Sequence, residues 1–292
     1  MSSTIFPKQH PDMWRFAVIG DPIEHSLSPR LHCHLMESVG ISGDYSKIHV
    51  QNKQDLVGVI HRLRKGYFNG INITSPWKQT VFDLVDSYTE TAKLAGVINT
   101  IKSTNGTLTG HNTDIYGFRA SLDYHFNLND LSNTGITIFG AGGSVRAVLL
   151  ALERMGATNI SILNRTPENA HQVISELGME QKVVVHPLDK RSAAQALDDS
   201  YFVINALPSQ GRALVNELEF PPITEPDKIY FDIIYTPDTL QLLAKAKRAN
   251  WSFADGLEML IFQGVKSLEF WTGEQIEDSL NVDELRTHLQ SN

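Results

Sequence analysis

The chain has 292 residues, 41% hydrophobic and 20% charged, the profile of a globular protein of one large or two ordinary domains. Its 25 basic against 33 acidic residues give a net charge of −8, which argues against nucleic acid or an anionic membrane surface as the main partner. A single cysteine, Cys33, excludes an intramolecular disulfide and a cysteine-based metal cluster, and no run approaches the roughly 20 apolar residues that span a bilayer. Cys33 reads as a small, partly buried apolar residue. Met1–Arg15, with Pro7, Pro11 and charges but no apolar core, does not read as a signal peptide, so a reducing cytoplasm is expected.

Strand and helix signals alternate through the first third. Phe16–Ile19 predicts a strand that ends at Gly20. Ser28-Pro29 predicts a helix running to about Val39, with Ser28 as its N-cap and Gly40 as its stop. Ser26 is not explained by that cap, and two hydroxyls beside the N–H groups of a helix start would suit a carboxylate. Tyr45–Val50 and Gly70–Thr74 predict further strands around a helix near Gln54–Arg64. Ser75-Pro76 predicts another helix, because proline suits the first helical position. Lys78 would then sit in a first turn, where the helix dipole disfavours a cation. It is either a solvated surface lysine or a proton-transfer group moderated by the helix end.

Asn105-Gly106, between Ile98–Lys102 and Thr107–Gly110, is a hairpin signal. A helix leads away from about Asp114, which either caps it or stands beside Lys78, keeping the ammonium charged and directed. Asn99 reads as a turn or edge amide, or as an amide belonging to the same site.

Gly135–Arg146 reads as a short buried strand, a glycine turn and an opening helix. The turn Gly140-Ala141-Gly142-Gly143-Ser144 approximates G-x-G-x-x-G, in which small residues let the backbone approach a pyrophosphate. Val145, Val148, Leu149, Leu152 and Met155 form the apolar face of that helix, and Gly156 ends it. The next strand ends on Asn164, Arg165 and Thr166 rather than on an acidic residue. A guanidinium there pairs with a 2′-phosphate and points to NADP over NAD, the alternative being an exposed arginine at a strand end. Val183–Val185, Phe202–Asn205 and Ile229–Asp232 predict later strands, and a helical tail starts near Gly256 and passes Trp271. Repeated βα units predict a mainly parallel, helix-covered sheet in each half: an α/β protein of two domains with a cleft between them.

Taken together, these motifs resemble the shikimate dehydrogenase family, in collinear order from Gly20 to Gly273. The family's G-x-P-I-x-H-S-x-S-P stands as Gly20–Pro29, its G-x-N-V-T-x-P-x-K as Gly70–Lys78 with Ile73 for Val, and its A-V-N-T as Val97–Thr100. N-T-D-x-x-G stands as Asn112–Gly117, G-A-G-G as Gly140–Gly143, and N-R-T as Asn164–Thr166. D-x-x-Y-x-P stands as Asp232–Pro237, and D-G-x-x-M-L-x-x-Q runs from Asp255 to Gln263.

The resemblance implies an N-terminal α/β substrate domain completed by the C-terminal helices (1–113 plus 256–292) and a Rossmann-like NADP domain (114–255). It implies NADP-dependent reversible reduction of 3-dehydroshikimate to shikimate, a step of chorismate and aromatic amino acid biosynthesis. Lys78 would transfer the proton, assisted by Asp114. Ser26 and Ser28 would bind the substrate carboxylate, and Thr74, Asn99, Asp114, Tyr235 and Gln263 the ring hydroxyls. Gly140, Ala141, Gly142, Gly143, Ser144, Asn164, Arg165, Thr166, Ile233 and Gly256 would line the cofactor site, with Glu90 at a further position associated with it. The expected partner is a small-molecule substrate, with a homodimer left open; no metal, nucleic acid or membrane is called for.

Three departures cluster around the cofactor: Asn169 where a second basic residue is common, Leu207 in N-A-T-[PS], and Leu240-Gln241 in place of T-P. They keep NAD open as a weaker cofactor, and with it a quinate/shikimate dehydrogenase. A non-catalytic nucleotide sensor would have lost Lys78 and Asp114, and folate-linked methylene dehydrogenases would not need the paired serines.

Overall fold

Short apolar segments alternate with amphipathic ones, and in the computed structural model, which describes residues 13–224, 227–277 and 280–291, they build two six-stranded sheets. Pro7 and Pro11 lie outside the described residues. The first sheet comes from β1 (Trp14–Gly20), α1 (Ser28–Ser38), β2 (Gly43–His49), α2 (Lys53–Arg64) and β3 (Gly70–Ile73). It continues with β4 (Ser87–Tyr88), α3 (Glu90–Ala95), β5 (Thr100–Thr104) and β6 (Thr107–His111), and α4 (Asp114–Phe126) leads out. The second sheet opens with β7 (Gly135–Phe139), α5 (Gly143–Arg154), β8 (Asn159–Asn164), α6 (Pro167–Leu177), β9 (Val183–Pro187) and α7 (Lys190–Asp199). It closes with β10 (Phe202–Asn205), α8 (Ala213–Asn216), β11 (Ile229–Asp232), α9 (Leu240–Arg248) and β12 (Ser252–Ala254). Two helices, α10 (Leu257–Thr272) and α11 (Val282–Gln290), return to the first sheet.

The second sheet is parallel throughout, in the order β12-β11-β10-β7-β8-β9. Strand order reverses between β7 and β10, and a crevice opens at their carboxyl ends, where ligands bind in open α/β sheets. The first sheet is mixed, parallel at three of its five pairings, β1–β2, β1–β3 and β4–β6. Its order is β2-β1-β3-β5-β6-β4, with β3–β5 and β5–β6 antiparallel. Asn105 and Gly106 both have positive φ, 51° and 83°, a two-residue turn that can only join antiparallel neighbours.

Three local expectations are corrected. Ser75-Pro76 opens no α-helix: the peptide is cis, a turn covers Ser75–Gln79, and a 3₁₀ segment follows over Thr80–Leu84. Tertiary partners fix this stretch, because the Trp77 indole donates to the Val50 carbonyl and the Lys78 ammonium to Asp114. Ser28 is not the cap of α1, since helical geometry begins one residue earlier at Leu27, and the Ser26 hydroxyl accepts the Ser28 N–H. Cys33 is exposed rather than partly buried, because Leu31, His32, Leu35 and Met36 form the inward face of α1.

Apolar clusters cover both faces of each sheet. The cluster holding Val145, Leu149 and Phe231 also takes in Ala95, Val97 and Met259, so one core continues from the second sheet into α3 and α10. Among the described residues no helix is long and apolar enough to cross a membrane.

Candidate active site

A cavity of about 430 Å³ lies where the two sheets face each other, lined from one side by the ends of β1, β3 and α1 and from the other by the start of α5. Lys78 is 9% exposed, and its Nζ stands 2.6 Å from Asp114 Oδ2. The surface lysine and the first-turn lysine are therefore both ruled out. The helix starts that face it belong to α4, through Asp114, and to α5, through Ser144 Oγ at 3.4 Å.

Asp114 is the first residue of α4, where unpaired N–H groups favour a carboxylate, but its side chain makes no cap bond. Instead its second oxygen accepts from Asn99 Nδ2 at 2.8 Å. Asn99 is fixed in turn, its Oδ1 accepting from the Thr113 N–H at 2.9 Å and from the Thr100 hydroxyl at 3.1 Å. The Asn99 amide has two N–H groups for three acceptors: Asp114, Thr113 Oγ1 at 2.9 Å and Gln263 Oε1 at 3.2 Å. The longest contact is the easiest to exchange, which leaves Gln263 able to turn to a ligand.

The Ser26 hydroxyl donates to Ser28 Oγ at 3.1 Å. The Tyr235 phenol lies against Ser26 and the Leu27 backbone, and burial raises its pKa, so it stays a donor. Thr74 is half-buried at the end of β3 beside them. Beneath, a polar layer that sequence reading missed supports the site. Tyr45 donates to Asn72 Oδ1 at 2.7 Å, and Asn72 Nδ2 donates to Thr100 Oγ1 at 2.9 Å and Ser267 Oγ at 3.0 Å. Asn72 stands inside the Gly70–Lys78 run and Ser267 one helical turn after Gln263, so motif position was the available signal. His32 stacks on Tyr45 with ring centroids 4.4 Å apart, and burial drives its pKa down to about 3.

On the opposite wall, Gly142 is the N-cap of α5 without a side-chain cap, and Gly143 and Ser144 follow it into the cavity. Ile233 and Gly256 meet there at closest approach: a Cβ on Gly256 would lie 2.2 Å from the Ile233 carbonyl oxygen. The structure thus gathers Ser26, Ser28, Thr74, Lys78, Asn99, Asp114, Gly142, Gly143, Ser144, Ile233, Tyr235, Gly256 and Gln263 around one cavity.

Gly140, Ala141, Asn164, Arg165 and Thr166 lie outside its lining, on the crevice at the ends of β7 and β8. Asn164 Nδ2 donates to the Thr166 carbonyl at 2.8 Å, and Arg165 is exposed. Glu90 is exposed at the first position of α3, away from the cavity. Of the three departures, Leu207 packs into the apolar cluster on the far face of the second sheet and Leu240 is 62% exposed, so neither lines the cavity. Asn169 is exposed on the first turn of α6.

NADP fits these residues. Around Gly142 nothing lies within 4 Å of the place a Cβ would take, the α5 start has no side-chain cap, and the exposed Arg165 guanidinium follows the tip of β8, where it can meet a further phosphate.

A parallel sheet of this strand order, with a glycine turn at its switch point and a buried lysine–carboxylate pair across the cleft, defines a two-domain nucleotide-dependent oxidoreductase. Residues 18–101 match the family model of the shikimate dehydrogenase substrate binding domain, and residues 124–248 that of shikimate / quinate 5-dehydrogenase. The shikimate dehydrogenase (NADP(+)) of Desulfitobacterium hafniense (strain Y51) is 33% identical, over 94% of this chain and 96% of its own. The chain belongs to the shikimate dehydrogenase family. Shikimate dehydrogenase from Aquifex aeolicus superposes with a TM-score of 0.79 at 28% identity, covering 97% of this chain and 99% of its own. The Thermus thermophilus enzyme, solved in complex with NADP(H) and shikimate, gives 0.75 at 28% identity over 95% and 99%.

Proposed function

We propose that this chain catalyses the reversible NADP-dependent reduction of 3-dehydroshikimate to shikimate. Residues 1–113 plus 256–292 serve as the substrate domain and 114–255 as the nucleotide domain. The observation that carries this reading is the buried Lys78–Asp114 pair, which the Ser144 hydroxyl approaches from the nucleotide side while Ser26 and Ser28 share the same cavity.

When bound, NADPH supplies the hydride. Lys78 stabilises the charge that grows on the substrate oxygen and delivers the proton to it; in the oxidation direction, neutral Lys78 takes the hydroxyl proton. Asp114 and Asn99 hold the ammonium and its partner in line. Ser26 and Ser28, with Tyr235 beside them, receive the carboxylate, and Thr74, Asn99 and Gln263 the ring hydroxyls. Gly140 to Ser144 hold the pyrophosphate, Asn164, Arg165 and Thr166 the 2′-phosphate side, and Ile233 and Gly256 the nicotinamide wall. Glu90 is a peripheral member of that side. A reducing cytoplasm suits the exposed Cys33 thiol.

The test is a matrix of kcat/KM for shikimate and quinate, each with NADP and NAD. Shikimate with NADP is expected to dominate. Quinate turnover, or NAD equal to NADP, would move the protein to a dual-specificity enzyme, and no turnover in any combination would leave a nucleotide sensor.

A further inference from the structure

Arg212 and Asp232 form an ion pair with both residues at 0% exposure, outside the cavity and outside any proton-transfer role. The guanidinium meets the carboxylate in a fork, Nη1 to Oδ2 at 2.7 Å and Nη2 to Oδ1 at 2.5 Å. Taking two charges out of water costs several kcal/mol, and an apolar pair of the same volume often gives equal stability. What an apolar pair would not give is directed hydrogen bonding, and here that bonding falls on two loops.

The first loop follows β10. The Leu207 peptide is held at both ends: its N–H donates to Asn205 Oδ1 at 3.2 Å, and its carbonyl accepts from Arg212 Nε at 3.1 Å. Ala206, Pro208, Ser209 and Gln210 on either side of that peptide line the cavity. The second loop follows β11. Asp232 Oδ1 accepts from the Ile234 N–H at 3.0 Å, and the flanking Ile233 and Tyr235 line the same cavity. Asp232 Oδ2 also accepts from Tyr230 at 3.1 Å and Asn205 Nδ2 at 3.2 Å, which joins the two loops through one carboxylate.

We propose that Arg212 and Asp232 are positioning residues, a buried clasp that fixes the β10 and β11 loops against each other and so sets the distance between nicotinamide and substrate. This rests on the reaction assigned above. Neither residue touches the reacting atoms; both act through the Leu207 carbonyl and the Ile234 N–H. Hydride transfer is sensitive to such placement, a displacement of about 1 Å costing about a hundredfold in rate.

The test is Arg212→Lys, which keeps the charge and loses the fork, with Asp232→Asn as the second variant should the first not fold. Expected for either folded variant is a kcat about 10- to 100-fold lower, with the Kd for NADPH by fluorescence titration changed less than about threefold, because the phosphate cradle lies elsewhere. Hydrogen exchange should accelerate in 206–211 and in 233–236 together. Unchanged exchange in both loops, acceleration in one loop alone, or wild-type kcat in a folded variant would overturn the clasp. Exchange needs no turnover, so it judges the clasp even if the wild-type protein fails to oxidise shikimate, a result that would sink the assigned reaction alone.

Discussion

Lys78 is the residue on which the chemistry turns, and its surroundings say how a substitution should read out. Positioned proton transfer contributes about 10²–10⁴ in rate, so Lys78→Ala should lose kcat on that scale while circular dichroism still reports a folded protein. Near-normal kcat in purified variant would remove Lys78 from the mechanism. Its identity was legible in the Gly70–Lys78 run, and Asp114, 36 positions away, was already one of the readings for its partner; what the sequence misjudged was the backbone, because the local rule for proline set the lysine in a first helical turn. His32 was invisible: on the sequence it is one histidine in a helix, and only the packing puts it under Tyr45. Its folded pKa of about 3 lies below the ordinary 6.5, so the unfolded chain takes up a proton that the folded one refuses. That contribution is complete above about pH 6.5 and is lost as pH falls toward 3, at up to about 1.4 kcal/mol per pH unit. Urea unfolding between pH 6.5 and 5 should show this slope, and His32→Gln should flatten it. Equal slopes in both proteins would mean that His32 titrates normally.

Elements were readable in proportion to how much of their shape is local. Phe202–Asn205 and Ile229–Asp232 are four-residue strands buried on both faces, and their unbroken apolar character gave their limits directly. Asn105-Gly106 gave the β5–β6 turn for the same reason. By contrast β4, two residues long, and β12, three residues long, exist only because a sheet edge stands ready to pair with them. The loop between Ala254 and α10 illustrates the opposite constraint, an element fixed by a neighbour's backbone. Gly256 has an ordinary φ of −84°, so alanine there is conformationally allowed, yet its Cβ would meet the Ile233 carbonyl at 2.2 Å. Gly256→Ala should therefore cost about 1–3 kcal/mol by overpacking. It should also lower kcat, because the displaced atoms belong to the β11 loop that lines the cavity. Differential scanning calorimetry and steady-state kinetics check the two parts, and a variant with unchanged Tm would show that the β11 loop yields freely.

At the scale of the whole molecule, two sheets suggest two independently melting bodies, and the interior argues otherwise. One apolar cluster runs from the second sheet through α5 into Val97 and Met259 of the first lobe. Arg146 on α5 adds a polar strut, bonding to Glu176 of α6 and to the Ala95 carbonyl of α3. Where α4 and α10 pack along each other, Glu258, at 0% exposure, accepts from Arg286 of α11 at 2.5 Å and contacts His125 of α4 at 2.8 Å. Arg286 also reaches Asp255 at 3.1 Å, the carboxylate that caps the Leu257 N–H at the start of α10. Burial pushes the Glu258 carboxyl up, but the hydrogen bonds from His125 and Arg286 outweigh it and hold the group below its usual range, so their contribution to stability is present above the ordinary value of 4.5 and is lost as pH falls beneath it. Arg286→Met removes the guanidinium that two carboxylates share at the junction of the lobes. A fully buried broken pair costs about 3–5 kcal/mol, and because the Arg286 side chain is 29% exposed the expected loss is smaller, about 2–3 kcal/mol. Since the core is shared, that loss should lower the whole thermal transition while leaving it single. Two resolved transitions, with the upper one at the wild-type Tm, would show instead that the nucleotide lobe folds without the first, and that the continuous core does not couple them.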